Sequence, residues 1–209
     1  MNDEVIKKEA EYYRGRLEKY GATSRGVDWN SEEAQRVRYD QLSKILSKET
    51  SKKDFSICDY GCGYGYYSQY LKENGYQCTY TGIDVLREMI DMASKTYGNM
   101  KNTTFIQGSE ILGQYDYIVE SGVFNIRRDM NNSEWTQYVT GVLEQFNRHS
   151  KKGFAFNCLT KYSDADHMKD YLYYADPLFF FDYCKIHFSR NVALLHDYEI
   201  YDFTILVRK

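Results

Sequence analysis

The stretch ICDYGCGYGYYSQYL, residues 57–71, sets Gly61, Gly63 and Gly65 at alternate positions, two residues behind the acid Asp59 and an apolar run. Glycine lets a backbone turn sharply and approach a ligand closely. A turn of this kind between a strand and a helix is where α/β proteins hold nucleotide-like molecules. A second acid, Asp84, ends the run QCTYTGID. It stands about twenty residues past the turn, where a carboxylate can accept both hydroxyls of a ribose. The dinucleotide pattern G-x-G-x-x-G is not met, because residues 61–66 read G-C-G-Y-G-Y and Tyr66 takes the last glycine position. The phosphate-gripping G-x-x-x-x-G-K-[ST] is absent.

Seven short apolar runs can position these groups. FSICDY precedes the turn and QCTYTGID follows the helix YYSQYLKENG. After the helix VLREMIDMASKTYG come TTFIQGS, YDYIVESGVF, the amphipathic helix NSEWTQYVTGVLEQFNRHS and KGFAFNCLT. A segment helical from Pro177 leads to NVALLHDY and YDFTILVRK. Alternating strands and helices call for a parallel sheet covered on both faces. The last two runs are only a few residues apart, whereas a parallel crossover needs about a dozen. They must pair as a hairpin, with the final strand antiparallel. The expected fold is therefore α/β: a Rossmann-like, doubly wound, seven-stranded sheet, mostly parallel, ending in an antiparallel hairpin strand. Residues 1–50 read as N-terminal helices, the second capped by Ser31, and the α/β domain runs over 51–209.

The 209 residues are 43% hydrophobic, enough for a proper core. The formal charge of −3 lacks the basic surplus of nucleic-acid binders and argues against such a partner. No run reaches the roughly 18–20 apolar residues of a membrane span, and the N-terminus lacks the order of a secretory signal. Five cysteines, an odd number set mostly in apolar runs, read as reduced thiols of a cytoplasmic protein. Cys58 and Cys62 have no second Cys/His pair at ligand spacing, so no metal is expected. The chain holds 22 tyrosines, side chains with an apolar body and a polar tip that suit half-buried walls around polar ligands.

Both a nicotinamide dinucleotide and S-adenosylmethionine (SAM) carry the ribose that Asp84 could grip. The glycine spacing, Asp59 and the closing hairpin favour SAM. DYGCGYGYYSQYL and YTGIDVLREMIDMA together resemble the first two motifs of class I SAM-dependent methyltransferases. The resemblance continues through FIQGSEIL, YDYIVESGVF and the terminal hairpin, over residues 54–209. Through GVDWNSEEAQ, LYYADPLFFFDYCK and ALLHDYEIYDFTILVRK the whole chain also resembles small bacterial methyltransferases found with capsule and other surface-polysaccharide genes, including makers of the O-methyl phosphoramidate modification.

The resemblance implies roles for particular residues. Gly61, Cys62 and Gly63 line the methionine part of SAM, Asp59 orients the turn or meets the methionine ammonium, and Asp84 holds the ribose. Val85 and Leu86, or Met89, cover the adenine, and Ser109 or Glu110 meets its amino group. Glu120, Ser121 and Gly122 lie beside the sulfonium. Residues 1–50 act as a lid, with Tyr13, Tyr20 and Trp29 able to close over the cofactor.

Methyl transfer from a sulfonium is an in-line displacement, so alignment of donor and acceptor carries most of the catalysis. A base is needed only where the acceptor stays protonated, as an alcohol does. No NPPY or DPPY follows the fourth strand, which lowers planar amines as acceptors. The acceptor should meet residues 121–125, 160–162 and His196, under an insert, KYSDADHMKDYLYYADP, that carries His167, Tyr173, Tyr174 and Asp176. His196, Tyr173 and His167 are the candidate catalytic residues. The expectation is a methyltransferase for a small-molecule oxygen on a sugar, a nucleotide-activated intermediate or a phosphoramidate precursor. The alternatives are an NAD-dependent oxidoreductase and a SAM-binding partner subunit without turnover.

Overall fold

The computed structural model describes residues 11, 13–16, 19–21, 23, 31–49 and 52–209. Trp29 lies outside them. The first complete helix, α1 (Glu32–Ser43), starts where expected: Ser31 is extended, and its hydroxyl accepts from Ala34 N at 3.0 Å. Glu32 and Glu33 in the first turn suit the positive end of the helix. A 3₁₀ turn (Lys44–Lys48) leads to β1 (Lys53–Tyr60). Then follow α2 (Tyr66–Glu73), β2 (Gln77–Asp84), α3 (Arg87–Tyr97), β3 (Thr103–Gln107) and β4 (Tyr115–Glu120). A second 3₁₀ turn (Val123–Asn125) precedes α4 (Asn132–His149), which opens on a reciprocal cap between Asn131 and Glu134. β5 (Ser150–Leu159) and α5 (Pro177–His187) come next, the latter with Pro177 in its first turn and Asp176 capping Leu178 N. β6 (Asn191–Leu195) and β7 (Asp202–Arg208) complete the chain.

The seven strands form one sheet in the order β3-β2-β1-β4-β5-β7-β6. All pairings from β3 to β5 are parallel, and β7 is antiparallel to both β5 and β6. The expected doubly wound sheet with an antiparallel final strand is what the chain forms. The periodicity did not reveal that β7 inserts between β5 and β6, leaving β6 at the edge.

The central strands β1, β4, β5 and β7 are buried on both faces, and each face has its own core. On one side α4 and α5 cover Cys58, Ile118, Phe154, Phe156 and Phe203. On the other, Tyr39 and Leu42 of α1 and Tyr67, Tyr70 and Leu71 of α2 cover Ile57, Val119, Ala155 and Leu206. Tyrosine is unusually prominent in this second layer. The rings of Tyr39, Tyr67 and Tyr70 lie 4.9–5.7 Å apart, and the Tyr67 hydroxyl reaches Ser43 Oγ at 2.9 Å. Among the described residues no helix is long and apolar enough to cross a membrane. All five cysteines are free thiols.

One ion pair ties α1 to the sheet. Arg38 meets Asp202, the first residue of β7, and both side chains are buried, Asp202 completely. Removing one partner of a buried pair strands the other charge, at a typical cost of about 3–5 kcal/mol. Asp202→Ala should therefore lose about that much stability in urea unfolding, while an exposed pair such as Arg87 with Asp91 should be nearly silent on deletion.

Candidate functional site

The sheet changes winding direction between β1 and β4, and at the carboxyl ends of such strands a crevice opens. Gly61 N and Cys62 N turn back onto Ile83 O at 2.7 and 3.0 Å, which bonds the loop after β1 to the end of β2. Gly61 has φ +74°, and a Cβ there would lie 2.0 Å from Val123 Cγ2, so the turn admits no side chain at this position. Gly65 has φ +82° and starts α2 against Phe105 and Ala93. It therefore serves helix–sheet packing, the job that the dinucleotide pattern gives to its third glycine.

Asp84 locks the turn. Its Oδ2 accepts from Gly63 N and its Oδ1 from Leu86 N, both at 2.9 Å. Asp59 Oδ2 accepts from the Tyr80 hydroxyl at 2.5 Å. Both acids are buried, and burial pushes their carboxyls up, Asp59 to about 7 and Asp84 to about 6, against the pull of these hydrogen bonds. Two acids with raised proton affinity at one strand edge are suited to meet a cation or sugar hydroxyls.

These groups border a cavity of about 350 Å³, within the range of about 300–1,000 Å³ typical of small-molecule sites. The cofactor candidates Asp59, Gly61, Cys62, Gly63 and Asp84 all line it. So do Val85, Leu86, Met89, Ser121 and Gly122, with Tyr13 from the N-terminal segment. Of the three catalytic candidates only His167 does. Its Nδ1 lies 3.1 Å from Asp166 Oδ1.

Five predicted residues stand elsewhere. Glu120 is fully buried, and its Oε1 accepts from Val123 N at 2.6 Å and Phe124 N at 3.4 Å, so it shapes the loop after β4 from behind. Tyr173 packs into the core against Phe180, and its hydroxyl meets Thr136 Oγ1 at 2.6 Å. His196 does come directly after β6, but the insertion of β7 carries that end away from the crevice, and the ring lies exposed beside Tyr162. Ser109 offers its carbonyl to the Tyr60 hydroxyl at 3.2 Å, Glu110 is exposed, and Gly108 borders the cavity in their place.

The sequence reading missed the wall that α1 supplies. Gln35, Arg38 and Tyr39 line the cavity, and Gln35 bridges Tyr39 and Tyr64 with hydrogen bonds of 3.0 Å. Their i, i+3, i+4 spacing on the helix face otherwise bearing Leu42 was the available signal: polar side chains where a core stripe should run. Opposite, the insert is fastened over the crevice. Arg127 donates to Leu172 O at 3.2 Å and to Asp170 O, while its own and Arg128's backbone N–H groups hold Tyr171 O at 3.1 Å. Lys169, Tyr171 and Leu172 thereby join the cavity wall.

Residues 30–206 match the methyltransferase-domain family. This chain belongs to that family. In Mycobacterium tuberculosis (strain ATCC 25618 / H37Rv), the protein named "Putative methyltransferase Rv1506c" is 50% identical over 155 residues, 74% of this chain and 93% of that protein. DhpI in complex with SAH (S-adenosylhomocysteine) superposes with a TM-score of 0.65 at 15% identity, over 100% of this chain and 98% of that one. The magnesium protoporphyrin IX methyltransferase of Synechocystis PCC 6803 with bound SAM gives 0.61 at 14% identity, over 84% and 80%. At these identities the two structures speak for the fold. Family membership replaces the dinucleotide oxidoreductase reading with a methyltransferase one.

The two acids predict a pH dependence of this methyltransferase without ligand. Their folded pKa values lie above the unfolded value of about 3.9, so the native state holds protons that the unfolded chain has released. The stability they contribute is complete below about pH 4 and is lost as the pH rises through 6 and 7. Asp59→Asn, which keeps an acceptor for Tyr80, should gain on the wild type between pH 5 and pH 8, by more than about 1 kcal/mol in urea unfolding.

Proposed function

We propose that this chain binds SAM in the cavity and transfers its methyl group to an oxygen of a small-molecule acceptor. The observation that carries the reading is Asp84: a buried carboxylate on the cavity wall, fixed by two backbone N–H groups at the end of β2. A carboxylate has about four acceptor sites, so two remain for the ribose hydroxyls. The donor set fits the rest of the molecule. Asp59 would meet the methionine ammonium, and Gln35 and Arg38 of α1 would face its carboxylate. Val85, Leu86 and Met89 would cover the adenine, with Gly108 beside it. Residues 1–50 would then serve as a cover on the cofactor side, through Tyr13 and the α1 wall.

Bound SAM would supply a methyl group on a positively charged sulfur, already activated for displacement. The chain's own task is to exclude water, align the acceptor and take its proton. Asp166 accepts from His167 Nδ1–H, which leaves the lone pair on Nε2. That nitrogen would remove the acceptor hydroxyl's proton as the oxygen attacks the methyl carbon. Asn125 lines the cavity with its Oδ1 accepting from Leu159 N at 2.9 Å, and with Ser121 it would orient the acceptor. A sugar, a nucleotide-activated sugar or a phosphoramidate precursor of a surface polysaccharide is the acceptor class that the sequence resemblance supports.

Two measurements test this. SAH should raise the melting temperature where NAD does not, and its affinity should weaken as the pH falls below about 7, by up to about tenfold per unit, because the ammonium needs Asp59 ionised. With tritiated SAM and a panel of hydroxylated acceptors, His167→Gln should lower kcat by about 10²–10⁴-fold at unchanged SAH affinity. Equal rates for the variant and the wild type would remove His167 from the chemistry.

A further inference from the structure

On the cover side of the cavity mouth, the loop 160–167 meets the loop 196–201 through two pairs of rings. Tyr162 and His196 lie 5.9 Å apart at 36°, and His167 and Tyr201 lie 5.6 Å apart at 35°. A backbone hydrogen bond of 3.0 Å from Thr160 N to Tyr201 O holds the loops together. These rings are not core: Tyr162 is 58% exposed, Tyr201 40%, and both histidines are exposed. Asp164 accepts from the Tyr201 hydroxyl, and Asp166 from His167. The shelf is continuous with the cavity because His167 belongs to both.

Exposed ring faces flanked by carboxylates suit a ligand with apolar faces and hydroxylated edges. A saccharide has that make-up: its C–H face lies on an aromatic ring, and its hydroxyls donate to carboxylate oxygens, each of which has unused acceptor sites. A phosphate would meet Asp164 and Asp166 as like charges. The cation Lys161, 5.2 Å from the centre of the Tyr162 ring, is paired with Asp176 at 2.8 Å, which leaves the carboxylates to set the charge of the shelf. Four rings on two adjoining loops also fall short of the roughly 800 Å² per partner that a stable protein interface covers.

We propose that this shelf binds the saccharide unit next to the one that receives the methyl group, so that the acceptor is an uncharged glycan of two or more sugars. The proposal rests on the methyltransferase reading. His196 then takes part in acceptor positioning together with Tyr162, and not in proton transfer.

The test uses the full chain saturated with SAH on an array of neutral mono-, di- and trisaccharides and their phosphorylated counterparts, with SAH affinity measured in parallel. Neutral oligosaccharides should be retained over monosaccharides. Tyr162→Ala and Tyr201→Ala should each weaken retention about tenfold at unchanged SAH affinity, and Tyr162→Phe, which keeps the ring, should restore it. Normal SAH binding with no glycan retained, retention of phosphorylated glycans alone, or retention indifferent to Tyr162→Ala would each overturn the shelf while leaving the methyltransferase reading in place. Failure to bind SAH would overturn that reading, and the shelf with it.

Discussion

The site depends on the carboxylate of Asp84 accepting two backbone N–H groups, one from the glycine turn and one from the start of α3. This contact ties two parallel strand ends into a single edge and orients Asp84 at the cavity rim. It is possible because Gly61 and Gly63 take left-handed backbone conformations that bring the Gly63 N–H inward. Burial opposes the arrangement by raising the proton affinity of the acid, and the two hydrogen bonds counter it. A group held between these opposing effects is well suited to respond to a ligand.

The tyrosines extend the same logic outward. Between α1 and the sheet, aromatic bodies fill the core, while hydroxyl tips meet Ser43, Gln35 and Asp59. Ring packing thus positions the polar groups that face the cavity from the α1 side. The Arg38–Asp202 pair fixes α1 against β7 and so joins the cavity wall to the sheet. On the far side Arg127 does the corresponding work with carbonyl groups, gathering residues 170–172 of the insert against the loop after β4.

Most of the architecture could be read from local pattern, because parallel strands buried on both faces show as apolar runs and helix starts show as caps. Ser31, Asn131 and Pro177 each mark a helix that begins where its neighbours in sequence require. The turn and its acids were readable for the same reason, since their spacing is set by the length of one β–α–β unit. The acceptor side was much less so. His167, Tyr173 and His196 looked alike in sequence, as polar rings after strands, yet one lines the cavity, one is core and one stands outside it.

By itself the sequence determined the strand–helix alternation, the antiparallel finish and the glycine turn with its two acids, because each follows from residues close together in the chain. Tertiary structure alone decided that β7 would insert before β6, displacing His196 from the crevice, and that Gln35 and Arg38 would face the cavity. Those outcomes depend on which long-range surfaces bury one another. Packing between distant segments has no period in the sequence to announce it.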